Sequence, residues 1–197
     1  RLERKAQRAR ELAAVPRQRK RKAVKPAAPQ EWFERYRWFI ASSGEITVAG
    51  RDATSNDRIV KRYLKAGDRY AHADIHGAPS VVVKHGTEPP SAAAMEEACR
   101  FGLACSRAWA ASVASGHAYW VESDQVSKTA PAGEFLPKGA FMVRGRRKWH
   151  RNLAVELALG EIERDGAPKL MAGPSAAVRA HARRWVVLKP GFTERKA

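Results

Sequence analysis

YAHADIHG, residues Tyr70–Gly77, alternates as a strand does. Side chains two apart share a face of a strand, so Tyr70, His72, Asp74 and, if the chain stays extended, His76 fall together. Ala71, Ala73 and Ile75 fall on the other side. One face is small and apolar and packs, while the other offers two imidazoles and a carboxylate. Gly77 frees the backbone to turn. Ser80–Lys84 (SVVVK) reads as the next strand, since β-branched residues fit a pleated, buried surface.

Three readings of the polar row are open at this point. Two imidazoles and a carboxylate suit several divalent ions, but His72, Asp74 and His76 on one straight strand would span about 13 Å, too far for one ion without a bend at His76. Acid/base chemistry would have Asp74 orienting an imidazole, although no nucleophile stands nearby in sequence. The third reading is a polar row that is structural or contacts RNA.

Composition narrows the partners. The 197 residues carry 37 Lys and Arg against 20 Asp and Glu, a net charge of +17. Such an excess points to polyanions, nucleic acid first. No apolar run approaches the roughly 20 residues that a membrane span requires, and no signal-peptide core opens the chain. The expectation is a soluble, cytoplasmic protein with no membrane partner. Cys99 and Cys105 fall six residues apart in one expected helix, about 9 Å along its axis, which is incompatible with a bridge across an intact helix. Both are expected to be free thiols.

Residues 1–30 differ in kind from 31–197. They hold eleven Lys or Arg and two acids. Arg1–Val15 reads as the end of a longer, partly helical coiled coil, and Pro16–Pro29 as a basic linker. An opening without Met reads as the C-terminal piece of a longer protein.

From Glu31 the chain reads as one domain. Arg37–Ala41 and Glu45–Ala49 make a hairpin around Ser43-Gly44, and the neighbouring aromatics Trp32, Phe33, Tyr36, Trp38 and Phe39 are expected in the core. Asp52 or Thr54 caps a helix over Ser55–Leu64, whose Arg58, Lys61 and Arg62 are available to phosphate. Ser91 caps a long helix with a buried stripe through Ala98, Phe101, Cys105, Trp109 and Val113, ended by Gly116. His117–Glu122 reads as a strand, Gln125–Glu134 as a loop and Phe141–Arg144 as a strand. Leu153–Ile162 (LAVELALGEI) reads as another strand, Ser175–His181 as a short helix and Trp185–Lys189 as the closing strand. Arg144, Arg146, Arg147 and Lys148 surround Gly145 and precede Trp149, a mixture of cations and an aromatic that suits RNA.

No phosphate loop, dinucleotide fingerprint, nucleophile elbow or zinc spacing occurs. No cofactor, metal or catalytic residue is assigned. The fold class is α+β, a mostly antiparallel or mixed sheet with one long helix packed across it, preceded by the basic tail and linker.

Three segments in order, WFERYRWFIASSGEITVAGRDATSND, GDRYAHADIHGAPSVVVK and QVSKTAPAGEFLPKGAFMVRGRRKW, resemble the NFACT-R domain of the NEMF/RqcH ribosome-associated quality control family. The resemblance covers about Glu31 to Trp149 and is looser beyond; Ala49 stands where the motif usually doubles the glycine at Gly50. It implies an RNA-binding module of a factor that binds stalled large ribosomal subunits and tRNA and supports untemplated C-terminal tailing of the nascent chain, with no chemistry of its own. The partners implied are tRNA, ribosomal RNA, the large subunit and the rest of the parent chain: NFACT-N, helix-hairpin-helix and coiled coil. Candidate RNA contacts are Arg51, Asp52, Asn56 and Lys61; His72, Asp74 and His76; Ser127, Lys128 and Thr129; and Arg144, Arg146, Arg147 and Lys148. The His72/Asp74 row, the Lys128 loop and the Arg144–Lys148 cluster are expected to form one continuous, positively charged face on structured RNA. The alternatives are a metal-dependent or acid/base RNA-processing enzyme using His72, Asp74 and His76, and a protein-interaction platform on the ribosome.

Overall fold

A computed structural model describes residues 30–129 and 135–191. The expected coiled-coil end and linker, most of the Thr129–Glu134 stretch and the basic C-terminal tail lie outside the described residues. The rest is α+β. Strands β1 (Arg37–Ile40) and β2 (Ile46–Ala49) form the expected hairpin. They are followed by α1 (Ala53–Tyr63), β3 (Arg69–Ala73), β4 (Val81–Val83), α2 (Ala92–Ala104), α3 (Arg107–Ala110) and β5 (Ser115–Glu122). After a 3-10 turn at Ser123–Gln125 come β6 (Val126–Ser127), β7 (Met142–Val143), β8 (Lys148–Ala154), β9 (Leu157–Arg164), β10 (Ala167–Gly173), α4 (Ser175–His181) and β11 (Ala182–Leu188). The main sheet runs β1-β2-β4-β3-β5-β8, a second sheet β10-β9-β11, and β6 pairs β7 as a short ribbon. Every pairing among the described residues is antiparallel.

The period-two pattern of residues 70–73 divides the side chains between the two faces of the main sheet as expected, but Tyr70, expected on an open polar face, is buried there. Ala71, Ala73 and Val81 pack with Ala98, Phe101 and Leu103 of α2 in one buried cluster. A Cβ on Gly102 would sit 3.2 Å from Val81 Cγ2, so the absent side chain is what lets α2 lie close on the sheet. The cross-strand row Val48, Val82, Tyr70 and Val121 occupies the other face. It is covered by Ile59 and Val60 of α1, by Val126 and Val143 of the ribbon and by Phe141 just before β7. Ile59 is fully buried, and an apolar side chain of that size stabilises by about 1.5–3 kcal/mol when withdrawn from water. The second sheet shares the α2-side core through Ala158, Ile162 and Met171.

Several local expectations change. The helix opened by Ser91, whose hydroxyl accepts from Ala94 N at 3.0 Å, stops at Ala104 instead of continuing to Gly116. Ser106 Oγ donates to Leu103 O at 2.6 Å and accepts from Ala108 N at 3.1 Å. A hydroxyl that bonds nearby backbone offers an alternative to the helical ladder, and α3 begins there as a separate turn. Cys105 is therefore the cap of α2 and not part of it; both thiols are free, and burial raises both well above the ordinary thiol value. LAVELALGEI is two strands: Leu153 and Ala154 close β8 in the main sheet, and Leu157 opens β9 in the second. Strand β10 is absent from the expected elements. Its hairpin with β9 turns at Asp165-Gly166, both at positive φ, and Asp-Gly is itself a strong hairpin signal.

Candidate functional site

The loop that follows the β1–β2 hairpin is held by its own polar groups. Asp52 caps α1 by accepting from Ser55 N at 2.7 Å, and Ser55 Oγ accepts from Asp52 N at 2.9 Å and from Arg51 N at 2.8 Å. The hydrogen bond from the Ser55 backbone keeps the Asp52 carboxyl below its ordinary value. Asn56, one turn on, accepts from the buried Ser80 N at 3.1 Å through Oδ1, while Gly50 N donates to Ser80 O at 3.1 Å. A Cβ on Gly50 would fall 1.8 Å from Asn56 Oδ1. Glycine there is what allows the loop and β4 to meet. Arg51 stays exposed and donates to Tyr36 O at 3.1 Å.

This loop forms one wall of a cleft of about 480 Å3. The opposite wall comes from the end of the YAHADIHG segment. Strand β3 stops at Ala73, so His76 does not continue the polar row as a straight strand would have it. The chain turns at Gly77 (φ 74°), and His72 and His76 both line the cleft, with Arg51, Asn56 and Lys138. Asp74 is exposed and is not part of its lining. His72 Nδ1 lies 3.0 Å from Pro79 O, so that nitrogen carries the proton and Nε2 is the acceptor. Burial, the largest influence, lowers the imidazole pKa, and the Arg147 guanidinium adds to it. His72 is a neutral ring at pH 7.

The expected Gln125–Glu134 loop begins instead with β6 (Val126–Ser127), paired with β7, and its Lys128 joins this region through Asp57. Asp57 Oδ1 accepts from Lys128 Nζ at 3.2 Å and from Gly139 N at 3.0 Å, and Oδ2 accepts from Lys61 at 2.6 Å. The Lys61 ammonium is the chief cause of a strongly depressed Asp57 pKa. Lys128 also donates to Pro137 O and Ala140 O, both at 2.8 Å. Its ammonium is thus committed to fastening the 137–140 turn against α1. Ser127 Oγ is buried without a partner among the described residues, and Thr129 O accepts from Arg144 at 3.4 Å.

Register carries the surface onward from the cleft. His72, Tyr119 and Trp149 are direct cross-strand neighbours on β3, β5 and β8, with ring centroids 6.2 Å and 5.0 Å apart in turn. Arg147 lies over the Tyr119 ring at 4.6 Å. Gln125 Nε2 donates to Arg144 O at 2.7 Å and to Arg146 O at 3.2 Å, which fixes the basic turn that leads into β8. Arg144, Arg146 and Arg147 are all exposed. Lys148 departs from the single face expected of the cluster. Paired with Trp120, it lies on the α2 side of the sheet, 4.0 Å over the Trp120 ring and 3.3 Å from Glu122. Alternation along β8 separates it from its neighbours.

His72, Asp74 and His76 do not gather as ligands would: among the described residues, no three His, Cys, Asp or Glu side chains come close enough to hold a metal ion. The enzyme alternative finds no support. A second concavity of about 450 Å3 lies between α2 and α4, but its lining includes Glu96, Glu97 and Glu156 and so does not suit a polyanion. Tyr119, Lys138 and Asp57 belong to the site although none was among the expected contacts; Asp57 and Lys138 lie inside the quoted motifs, and Tyr119 lies outside them. Alternation along His117–Glu122 is a signal that could find Tyr119, whereas Asp57 meets Lys128 and Gly139 only through the fold. Among the described residues no helix is long and apolar enough to cross a membrane.

Comparison with known proteins agrees with the motifs. Residues 35–145 match the family described as NFACT protein RNA binding domain. The chain is 38% identical over 166 residues to the archaeal Rqc2 homolog aRqcH of Methanocaldococcus jannaschii, covering 84% of this chain and 25% of that one. It is 46% identical over 128 residues to the human ribosome quality control complex subunit NEMF, covering 64% of this chain and 12% of that one. The chain thus spans a quarter or less of the relatives it resembles. Among solved structures it is similar in fold to the C-terminal part of the fibronectin/fibrinogen-binding protein from Streptococcus suis, with a TM-score of 0.50, 20% identity and coverage of 74% of this chain and 54% of that one. With more than half of its length matched and the motifs in order, this chain belongs to the NFACT-R family, the NFACT protein RNA binding domain.

Proposed function

We propose that this domain binds structured RNA through the wall that runs from the Arg51 loop across the His72/His76 cleft to the Arg144–Arg147 turn. It would do so as the RNA-binding module of a cytoplasmic ribosome quality control factor. The whole factor would engage stalled large ribosomal subunits and tRNA and support untemplated tailing of the nascent chain, the peptidyl transfer remaining with the ribosome. The observation that carries this reading is the convergence of exposed cations on one side of a rigid sheet: Arg51 and Lys138 at the cleft, and Arg147 on the Tyr119 ring beside His72. Cations at that density attract phosphate and release condensed counterions. In this reading Arg51, Arg144, Arg146 and Arg147 meet the backbone. Asp52, Asn56, Lys61 and Lys128 shape the surface through the hydrogen bonds they make inside the domain.

The test is a titration of the chain with tRNA and with ribosomal RNA at several salt concentrations. Arg144→Ala with Arg147→Ala should weaken binding and reduce the salt slope by roughly one for each phosphate that is no longer neutralised. An unchanged slope in the double variant would refute the assignment of this wall. Crosslinking to ribosomes, with sequencing of the attached RNA, identifies which RNA is touched.

A further inference from the structure

The edge of the main sheet carries an arrangement that phosphate attraction does not require. Tyr119 and Trp149 are opposed across β5 and β8 with centroids 5.0 Å apart. Arg147 lies over the first ring at 4.6 Å, and Arg151 lies 5.5 Å from the centroid of the second. The two adjacent rings are thus flanked by a guanidinium at each end along one face. β8 is the outermost strand of the sheet, so nothing among the described residues pairs with it beyond Trp149, and that indole is 36% exposed. Next to it the register of β5 with β8 slips: His117 alone stands opposite Arg151 and Asn152, and Asn152 has φ 54°. A bulge of this kind bends the strand and re-aims its side chains. Asn152 N donates to His117 Nδ1 at 3.2 Å and holds the bulge in place.

A purely electrostatic surface for duplex RNA would need cations spaced along phosphates and would gain little from a large indole left in water, which carries a cost. Rings flanked by guanidiniums on an open sheet edge match a different ligand. Unpaired bases stack on aromatic side chains and on guanidinium planes while cations hold the adjoining phosphates. In A-form duplex the bases are already stacked on one another and do not present their faces. Resting on the RNA reading above, we infer that the Arg147–Tyr119–Trp149–Arg151 ladder is a stacking platform for an unpaired nucleobase. The RNA this domain selects is then a single-stranded loop, bulge or end, continuing toward the His72 cleft.

The experiment compares the 197-residue chain with its Trp149→Ala, Trp149→Phe and Arg144→Ala/Arg147→Ala variants, each titrated with a single-stranded RNA of about ten nucleotides and with a blunt duplex of the same length. Circular dichroism of each variant reports that it is folded. The single strand should bind more tightly than the duplex, and Trp149→Ala should lose roughly 10- to 100-fold of affinity for the single strand alone. Its salt slope should stay unchanged because no charge is removed. Trp149→Phe should retain most of the binding, which separates stacking from any loss of fold. Equal affinity for both RNAs, with Trp149→Ala indistinguishable from wild type and Arg144→Ala/Arg147→Ala weakened, would overturn the platform and leave the RNA reading intact. No binding of either RNA by the wild-type chain would overturn both.

Discussion

Replacing Gly50 by alanine places a methyl carbon 1.8 Å from Asn56 Oδ1 and 3.0 Å from Asn56 N. Ordinary contact is nearer to about 3.5 Å, so one partner has to move by well over an ångström. The backbone at Gly50 is not free to do so, since its N–H is bonded to Ser80 O and its carbonyl accepts from Arg37. The Asn56 side chain must therefore swing away and give up the 3.1 Å bond from Ser80 N. Ser80 is 2% exposed, and a buried N–H left without an acceptor costs about 1–3 kcal/mol. With about 2 kcal/mol lost, a chain of this size should melt about 4–8 °C lower. Thermal unfolding followed by circular dichroism reads that shift directly. Asn56→Ala loses the same hydrogen bond without a clash, so Gly50→Ala in the Asn56→Ala background should cost much less than in the wild type. Such non-additivity is the mark of two residues acting through one contact. A Gly50→Ala chain that melts at the wild-type temperature, or a double variant whose loss equals the sum of the two single losses, would refute the close approach as the reason for glycine.

Alternation along β8 predicts that Arg147→Ala weakens RNA binding more than Lys148→Ala, because Lys148 is turned toward Trp120 and Glu122; fluorescence anisotropy with labelled RNA compares the two, and equal losses would count against it. Asp57 has its pKa held below that of a free carboxylate, so its contribution to stability is complete above about pH 4 and disappears as pH falls toward the depressed value. Asp57→Asn should flatten that part of the acid limb in urea titrations run from about pH 5 downward. For His72 the folded pKa is also lowered, so the unfolded chain binds the extra proton first and stability drops as pH falls through about 6.5. His72→Gln should remove that dependence, and the imidazole resonances of His72 should titrate below those of a free histidine; titration at or above the free value would show the ring is not buried as described.

Much of the local structure can be read along the chain because its causes are local. The two-residue alternation of Tyr70–Ala73 separates the alanines that pack under α2 from Tyr70 and His72 whatever lies around it, and Asp52 and Ser91 announce the helices they cap through bonds spanning three residues. The Asp165-Gly166 turn is equally local, so the hairpin that brings in β10 is legible by the same rule although the expected strands omit it. The break at Ser106 is harder to foresee: the apolar stripe continues through it to Trp109, and a single hydroxyl redirects the backbone.

The amino-acid order alone determined the α+β class, the positive charge and the three motifs that mark the family. Only the tertiary structure decided that LAVELALGEI divides between two sheets, that His76 lines the same cleft as His72, that Lys128 fastens a loop and that Lys148 leaves the basic face. The physical reason is range. Periodicity and capping act within a few residues, whereas Asp57 meets Gly139 across 82 positions and Trp149 faces Tyr119 only once β8 has found its register on β5. Which groups stay free for a ligand depends on which partners the closed chain has already supplied.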